Sequence, residues 1–390
     1  MDRSKQTDET TRGGFEQRLG LYVHIPFCER KCAYCDFPSY AGQKEQQAPY
    51  VDKLCAEIRL KGEELNHPQA DTVFLGGGTP SVLQPHLIGK VLKTLRDSFN
   101  VLPGAEITCE ANPGTLTPAF LKELRENGVN RLSLGAQSAH RDELRLLSRI
   151  HDWDMVVSSV QLAREMGFLN INLDLMSGLP GQTWDKLRES LAKAIALKPA
   201  HLSCYSLIVE EGTPFHALFE KGQLNLPDEE TEREMYHKTA AFLEQAGYTQ
   251  YEISNFSLPG FECRHNKNCW LYRDYLGFGL SAASLFRGVR QKNPDTLSAY
   301  LDGRKPLREE LTGQDMAFEQ VMLGLRLREG VSEEAFKKRW GQSLFEVFPK
   351  ALERHIEGGL LAYEDGRLRL TQKGLDLMDR VLLDLFPEQI

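Results

Sequence analysis

Residues 24–37 read HIPFCERKCAYCDF and hold three cysteines, with three and then two residues between them. Cys28, Cys32 and Cys35 come directly after a short apolar run, Leu21–Ile25, which predicts a buried strand. Thiolates spaced this closely in one loop can bind several irons of one cluster, because soft sulfur ligands suit iron–sulfur centres. Three ligands leave one iron of a [4Fe–4S] cluster open, and an open position is where a substrate or cofactor coordinates. The loop therefore predicts a [4Fe–4S] cluster with one open iron.

Two other interpretations of this loop stay open. In one, the cysteines are reduced thiols without a metal; in the other, they bind zinc, with His24 as the fourth ligand. Both require the spacing to be a coincidence, so we favour the cluster. The chain has eight cysteines in 390 residues, which is too sparse for a disulfide framework.

The composition excludes several classes of function. A chain of 390 residues with 41% hydrophobic residues can bury a large core and is too long for one average domain. With 47 basic and 55 acidic residues, a net charge of −8 and no block rich in Lys or Arg, it lacks the charge pattern of a nucleic-acid binder. No apolar run approaches the roughly 18 residues that span a bilayer. We expect a cytoplasmic protein, with peripheral membrane association left open.

Residues 1–18 are polar and predict a disordered leader. After them, short apolar runs alternate with longer segments of helical periodicity. The runs that predict strands are Leu21–Ile25, Thr72–Leu75, Glu106–Glu110, Arg131–Gly135, Ile171–Met176 and His201–Ile208. The segments that predict helices are Tyr50–Leu65, Gln84–Asn100, Pro118–Asn127, Met155–Met166 and Trp184–Leu197. Six β/α units predict an α/β fold with a parallel sheet, closed or partly closed as a barrel.

The composition changes at residues 290–306, which predicts a boundary between a domain of residues 19–295 and one of residues 296–390. The later part has helical segments, then a run with Glu-Asp-Gly at its centre that predicts a hairpin, then a last helix. This order resembles a small winged-helix module. Acidic residues outnumber basic ones from residue 307 onwards, which favours a structural or docking role over DNA binding.

The cysteine spacing, with Tyr34 directly before the last cysteine, resembles that of the radical S-adenosylmethionine (SAM) superfamily. The resemblance covers roughly residues 21–290. It implies a partial (β/α)6 TIM-type barrel whose cluster loop follows the first strand. It also implies that the open iron chelates the amino and carboxylate groups of SAM, and that an added electron splits a C–S bond to give a deoxyadenosyl radical.

Other residues fit a SAM site in the same order. The run GGGTP, residues 76–80, follows the second strand, where a backbone without side chains can approach a ligand, and it resembles the loop that binds the SAM ammonium. Glu110, Gln137 and Asp174 end three successive strands, at the catalytic edge of a barrel. Gln137 and Asp174 suit ribose hydroxyls, and Arg149 suits the carboxylate. The residues assigned to SAM are Tyr22, Tyr34, Gly77, Gly78, Thr79, Glu110, Gln137, Arg149 and Asp174.

The motifs HIPFC, GGGTPS, EANPGT, LGAQS, SRIH and DLMSGLPGQT resemble those of the oxygen-independent coproporphyrinogen dehydrogenases and their relatives. Two departures speak against that enzyme. It carries a further cysteine two positions after the cluster motif, where this chain has Asp36 and Phe37, and it has a longer amino-terminal extension, whereas only 21 mostly polar residues precede Tyr22 here.

Residues 263–270, CRHNKNCW, resemble the HNxxYW signature of the HemW family of heme chaperones in the same branch. The resemblance implies that His265 takes part in heme binding, and neutral imidazole can ligate heme iron. Cys269 stands at the tyrosine position of the signature. It is a candidate second axial ligand or covalent attachment point, or a tolerated change. The alternative is that His265 and Asn266 fix an irregular loop to the barrel rim.

Together these resemblances imply a heme chaperone that holds a [4Fe–4S] cluster with SAM, binds heme and passes it to acceptors such as respiratory-chain hemoproteins. Oxygen-independent coproporphyrinogen III dehydrogenase and a radical SAM methyltransferase or cyclopropanase are the alternatives. All of them would keep the same cofactor residues, so the sequence leaves open whether the chain is an enzyme.

Overall fold

The computed structural model describes residues 19–386. The predicted disordered leader, residues 1–18, lies outside the described residues. None of the helices in the part described is long and apolar enough to span a membrane.

The chain forms two compact units. Their segments are Leu19–Cys269 with Arg273–Glu310 for the larger unit, and Trp270–Tyr272 with residues 311–386 for the smaller one. The sequence placed a boundary after residue 295, whereas the larger unit continues to Glu310. It does so because Leu307–Glu310 is a strand that pairs with Val289–Lys292.

Six parallel strands form the centre of the larger unit. They are β1 (Leu19–Ile25), β2 (Gln69–Gly77), β3 (Asn100–Ala111), β4 (Arg131–Gln137), β5 (Asn170–Ser177) and β6 (His201–Ser206). Each strand pairs in parallel with the next one along the chain. Most of their residues are buried, as expected for a parallel sheet covered on both faces. The predicted partial (β/α)6 barrel is confirmed.

Helices follow these strands and cover the sheet. In chain order they are α1 (Gln47–Glu64), α2 (Pro85–Ser98), α3 (Pro118–Glu126), α4 (Arg141–Leu146), α5 (Trp153–Glu165), α6 (Trp184–Ala196), α7 (Pro214–Glu220) and α8 (Glu229–Gln245). Several begin at a side chain that caps a backbone N–H, as Thr117, Asp152 and Thr183 do for α3, α5 and α6. Short 3-10 turns lie at Lys44–Gln46 and Pro80–Val82.

Six further strands extend the sheet on both sides. They are β7 (Thr249–Gln250), β8 (Asn255–Ser257), β9 (Tyr275–Phe278), β10 (Ala283–Phe286), β11 (Val289–Lys292) and β12 (Leu307–Glu310). β8 pairs with β6 and β9 pairs with β1, so the barrel is open between β1 and β6. Helices α9 (Arg264–Trp270) and α10 (Leu297–Leu301) lie in the connections, and the two-residue strands Phe27–Cys28 and Tyr40–Ala41 pair with each other.

The smaller unit combines short helices with a three-stranded antiparallel sheet. Its elements are α11 (Gly313–Gly324), β13 (Val331–Ser332), α12 (Glu333–Trp340), α13 (Leu344–Val347), α14 (Pro349–Glu357), β14 (Leu361–Glu364), β15 (Arg367–Leu370), α15 (Gln372–Asp376) and α16 (Met378–Leu385). Asp365 and Gly366 form the hairpin turn with positive φ values of 51° and 70°. Phe318, Phe336 and Leu368 lie in its apolar core. The predicted winged-helix-like arrangement is confirmed.

Candidate functional site

The cysteine loop follows β1 at the carboxyl ends of the parallel strands. Cys28, Cys32 and Cys35 are partly exposed and unpaired. The Cys28 sulfur accepts a hydrogen bond from Thr79 Oγ1 at 3.5 Å, and the Cys32 sulfur accepts one from Arg149 Nη1 at 3.4 Å. Each of these two sulfurs thus faces a hydrogen-bond donor from the glycine run or from Arg149.

Three thiols on one loop suit an iron–sulfur cluster in their chemistry. Burial raises the pKa of the Cys35 thiol to about 11, so that it stays protonated until a metal displaces the proton. Within residues 19–386, no three His, Cys, Asp or Glu side chains are arranged as a preformed metal site. The three cysteine side chains therefore have to turn toward a common point when iron binds.

Tyr22 and His24 hold the start of this loop. The Tyr22 hydroxyl donates to His24 Nδ1 at 3.0 Å, and His24 Nε2 donates to the carbonyl oxygen of Pro38 at 2.9 Å. Burial lowers the pKa of His24 and raises that of Tyr22, so both side chains stay neutral. With both ring nitrogens engaged, His24 is not available as a zinc ligand in this structure.

The glycine run at the end of β2 packs tightly against β1. Gly77 has φ +105°, and a Cβ there would lie 2.3 Å from His24 Nδ1. A Cβ at Gly78 would lie 2.7 Å from the carbonyl oxygen of Phe27. No side chain fits at either position, so a ligand can approach the partly exposed backbone. The N–H groups of Gly77 and Gly78 are already bonded to Glu110 and to the carbonyl oxygen of Ile25. Thr79 accepts a hydrogen bond from Asn112 Nδ2 at 2.9 Å, which aims its hydroxyl proton at the Cys28 sulfur.

Two partly buried carboxyl groups lie beyond the glycine run. Glu110 accepts a hydrogen bond from the Gly77 N–H at 3.1 Å, and Asp174 accepts bonds from Ser133 and Asn172. Burial and the nearby Asp174 raise the pKa of Glu110 to about 8, and burial raises the pKa of Asp174. A cationic ligand beside Glu110 would favour the ionised carboxylate.

Arg149 joins the cysteine loop to the sheet. Besides Cys32, its guanidinium donates to Asn112 Oδ1 at 2.7 Å and to the carbonyl oxygen of Gly135. Its Nε is buried without a hydrogen-bond partner among the described residues, as expected of a group that awaits a ligand acceptor. Cys32, Asn112 and Arg149 also line an open cleft.

Gln137 and Tyr34 complete the set. Gln137 ends β4 with φ 64°, and its amide approaches Gly135, where a Cβ would lie 2.9 Å from Gln137 Nε2. Tyr34 packs on the apolar cluster that includes Leu147 and Phe215, and burial raises its pKa. The structure thus brings most of the residues that the sequence assigned to the cluster and to SAM to the carboxyl ends of the parallel strands. Asp174 was predicted to end its strand but lies inside β5, and Tyr22 lies inside β1.

The segment 263–270, here called the signature segment, lies at the opposite end of those strands. His265 Nδ1 is 2.9 Å from Thr72 Oγ1, near the start of β2, and its ring stacks on Phe74 with 5.2 Å between centroids. The imidazole is 5% exposed. Burial and the positive charge of Arg131 lower its pKa to about 4. The imidazole is therefore neutral, and the neutral form is the one that ligates heme iron. In this conformation, however, the ring is enclosed by protein.

Glu106 holds the first turn of α9. Its carboxylate accepts hydrogen bonds from the N–H groups of Arg264 and His265, each at 3.0 Å, and from the Cys263 thiol at 3.5 Å. Asn268 donates to Asp71 at 3.4 Å further along the segment. The alternative interpretation expected an irregular loop, whereas the segment is a helix at the amino-terminal ends of the strands, because the buried acids Glu106 and Asp71 bind its backbone and side chains. The hydrogen bond of His265 to the barrel that this alternative expected is present, with Thr72 as the partner.

Cys269 lies one helical turn after His265, so the two share a face of α9. Burial raises the pKa of the Cys269 thiol to about 11, and the pKa of Cys263 to about 12. Neither sulfur is a thiolate at neutral pH in this conformation. The structure does not bring His265 or Cys269 to the SAM residues.

Sequence reasoning missed a set of polar residues inside the barrel. Asn172 and His201 lie on β5 and β6 and are fully buried, and Tyr251 hydrogen-bonds to His201. A signal was present, since Asn172 and Asp174 are two residues apart, as are His201 and Ser203, and alternate residues of a strand share one face.

Comparisons with known proteins agree with this geometry. Residues 22–194 match the radical SAM superfamily, and residues 311–377 match the HemN C-terminal domain. The heme chaperone HemW of Bacillus subtilis is 40% identical over 90% of this chain and 95% of that protein. HemW of Escherichia coli is 34% identical over 94% of this chain and 98% of that protein. Coproporphyrinogen III oxidase (HemN) of Escherichia coli, a radical SAM enzyme, is similar in structure with a TM-score of 0.83 and 27% identity, covering 95% of this chain and 90% of that chain.

Proposed function

The chain belongs to the HemW family of radical SAM proteins, and from that membership we propose that it is a heme chaperone, which binds heme and passes it to acceptor proteins. The observation that supports this most directly is the signature segment, in which burial keeps His265 neutral and thus able to ligate iron. Respiratory-chain hemoproteins are the proposed acceptors. The unpaired cysteines of the described residues suit a reducing compartment, the cytoplasm.

The cluster and SAM would be held at the carboxyl ends of the strands. Cys28, Cys32 and Cys35 are the proposed iron ligands, and Gly77 to Thr79 would receive the ammonium of SAM. When bound, the cluster supplies the electron that cleaves SAM. Arg149 would pair with the carboxylate of SAM, and Gln137 and Asp174 would orient its ribose. Tyr22 and Tyr34 shape the surroundings of the cysteine loop, and Glu110 lies beside the glycine run.

Arg149→Ala is expected to weaken SAM binding, because it removes the charged partner of the SAM carboxylate from a partly buried site. The loss should be about 2–5 kcal/mol, or tens- to thousands-fold in affinity. Titration of the anaerobically reconstituted protein measures it. Arg145→Ala, an exposed arginine of α4, is the control and should bind SAM normally. An Arg149→Ala variant with unchanged SAM affinity would refute the assigned role.

SAM affinity is also expected to rise with pH up to about 8. The pKa of Glu110 is raised to about 8, so most molecules carry the protonated acid at pH 6. A bound cation favours the carboxylate, so binding releases a proton and affinity falls by about tenfold for each pH unit below the pKa. Dissociation constants measured between pH 6 and 9 give the slope. Glu110→Gln should flatten the profile, and a wild type with a flat profile would contradict the pairing.

Heme binding by His265 would require the signature segment to move, because the imidazole is enclosed by Thr72, Phe74 and the barrel wall. In the described conformation the signature segment buries His265, the proposed heme ligand. We therefore propose that heme binds a conformation in which α9 has left Glu106, and that Cys269, which is already partly exposed, becomes more accessible in the same step. Apparent heme affinity then depends on the fraction of molecules in that conformation.

The test of the function compares heme with coproporphyrinogen III. Purified protein, with and without the cluster, is incubated anaerobically with each compound, and heme absorbance, heme transfer to an apo-hemoprotein and product formation are followed. A chaperone binds and transfers heme without consuming SAM. The similarity to HemN makes the dehydrogenase the second candidate. Decarboxylation of coproporphyrinogen without heme binding would replace the proposed function by that one.

A further inference from the structure

A chain of buried hydrogen bonds begins at the signature segment. The N–H of Cys263 donates to the Tyr251 hydroxyl at 3.2 Å, and this hydroxyl lies 2.8 Å from His201 Nε2. His201 Nδ1 in turn lies 2.6 Å from Asn172 Oδ1. The four residues come from four different segments, so the chain exists only in the folded barrel.

The chain ends at Asp174. The Asn172 amide donates to Asp174 Oδ1 and to Ser133 Oγ, both at 2.7 Å, and Ser133 donates to Asp174 Oδ2 at 3.0 Å. Both oxygens of the carboxyl group are therefore held by residues of the chain. Ser203 also donates to Asn172 Oδ1, at 3.2 Å, so that every polar hydrogen and oxygen of that amide is used.

The partners of Asn172 decide which atom donates and which accepts in each hydrogen bond of this chain. Because the Asn172 nitrogen faces Ser133 and Asp174, its oxygen faces His201, and His201 Nδ1 must carry the proton. Burial and the nearby Arg131 hold the pKa of His201 well below its ordinary value, so the ring is neutral and Nε2 accepts from Tyr251. A buried network in which each member is satisfied fixes one arrangement of its side chains.

We propose that Tyr251, His201 and Asn172 are positioning residues that orient the Asp174 carboxylate toward the ribose of SAM and anchor it to Cys263 in the signature segment. The proposal rests on the proposed function, because Asp174 is a ribose ligand only if SAM binds at the carboxyl ends of the strands. The hydrogen-bond chain connects the two ends of the barrel, because it contacts both the SAM residues and the segment assigned to heme.

The test removes one hydroxyl from the chain. Tyr251→Phe is compared with the control Tyr248→Phe. The Tyr248 hydroxyl is buried and donates to the carbonyl oxygen of Pro199 at 2.8 Å, but it is not part of the hydrogen-bond chain. Each reconstituted protein is titrated with S-adenosylhomocysteine and with its 2′,3′-dideoxy analogue. Wild type should prefer the ribose about tenfold or more, as expected for hydrogen bonds to a charged group.

Tyr251→Phe should reduce that preference to about threefold or less, and Tyr248→Phe should leave it unchanged. General damage to the fold would weaken both ligands equally and leave the ratio as in wild type. A Tyr251→Phe variant with the wild-type ratio overturns the proposal.

A second measurement needs no ligand. In the full chain labelled with 15N-histidine, Asp174→Asn should shift the ring nitrogen signals of His201, two hydrogen bonds away. Glu57→Gln, which changes a mostly buried acid outside the chain, should leave them in place. If wild type binds the two nucleosides equally but Asp174→Asn shifts the His201 signals, Asp174 is not a SAM ligand, although the hydrogen-bond chain exists. Unshifted His201 signals in Asp174→Asn overturn the chain itself.

Discussion

A variant with Cys28, Cys32 and Cys35 all replaced by alanine is expected to hold no iron–sulfur cluster. After anaerobic reconstitution, wild type should contain about four irons per chain and the variant close to none, because Cys28, Cys32 and Cys35 are the proposed iron ligands. SAM affinity should fall in the same variant, since in this superfamily the open iron chelates SAM. Iron and sulfide analysis and the charge-transfer absorbance of the cluster measure the loss.

The control removes the same number of thiols elsewhere. Cys55, Cys109 and Cys204 are buried and unpaired, and a variant with alanine at these three positions should keep about four irons. Loss of iron in both variants would point to a general fault in folding or reconstitution. Full iron and sulfide content in the variant of the cysteine loop would show that the ligands lie elsewhere.

The central strands were predictable because they are buried on both faces. Arg131–Gly135 was predicted where β4 runs from Arg131 to Gln137, and Ile171–Met176 where β5 runs from Asn170 to Ser177. Parallel strands of this kind are short apolar runs between helices, and that pattern can be recognised without knowing which strands are neighbours.

The outer strands were not predictable in the same way. β9, Tyr275–Phe278, pairs in parallel with β1 although more than two hundred residues separate them. This pairing forms only once the barrel has folded and β1 lies at its open side. No local periodicity in the sequence predicts it. The extension through β12 follows from β9, which is why the larger unit continues past the predicted boundary.

Gly77, Glu110 and Gln137 could be placed together from the sequence, because they lie at or next to the ends of β2, β3 and β4 and parallel strands bring their carboxyl ends together. Asp174 lies inside β5 and Arg149 follows α4, so their positions depend on side-chain contacts that no local pattern shows. The role of these residues in SAM binding stays a prediction.

The placement of the signature segment could not be predicted. Its position is set by Glu106 and Thr72, which the sequence presents only as members of apolar runs. Whether such residues face the barrel interior or its outer surface is decided by register, and a shift of one residue would reverse it.

His265→Ala is expected to abolish heme binding while iron content and SAM affinity stay as in wild type. The imidazole is the proposed ligand, and it lies at the opposite end of the strands from the cysteine loop, so its removal leaves the cluster residues in place. Heme titration followed by absorbance, with iron analysis of the same sample, measures both. Cys269→Ser adds a second readout, because loss of a sulfur ligand would shift the heme spectrum.

Thr72 offers a test of the opening that heme binding requires. Thr72→Val keeps the shape of the side chain and removes the hydroxyl that contacts His265 Nδ1, so the enclosed conformation should lose about 1 kcal/mol and apparent heme affinity should rise about fivefold. Thr72→Ser keeps the hydroxyl and should bind heme like wild type. Undiminished heme binding by His265→Ala would exclude this histidine as the ligand. Equal heme affinity in Thr72→Val and wild type would mean that the imidazole need not leave Thr72, and heme would then have to bind without the release of α9.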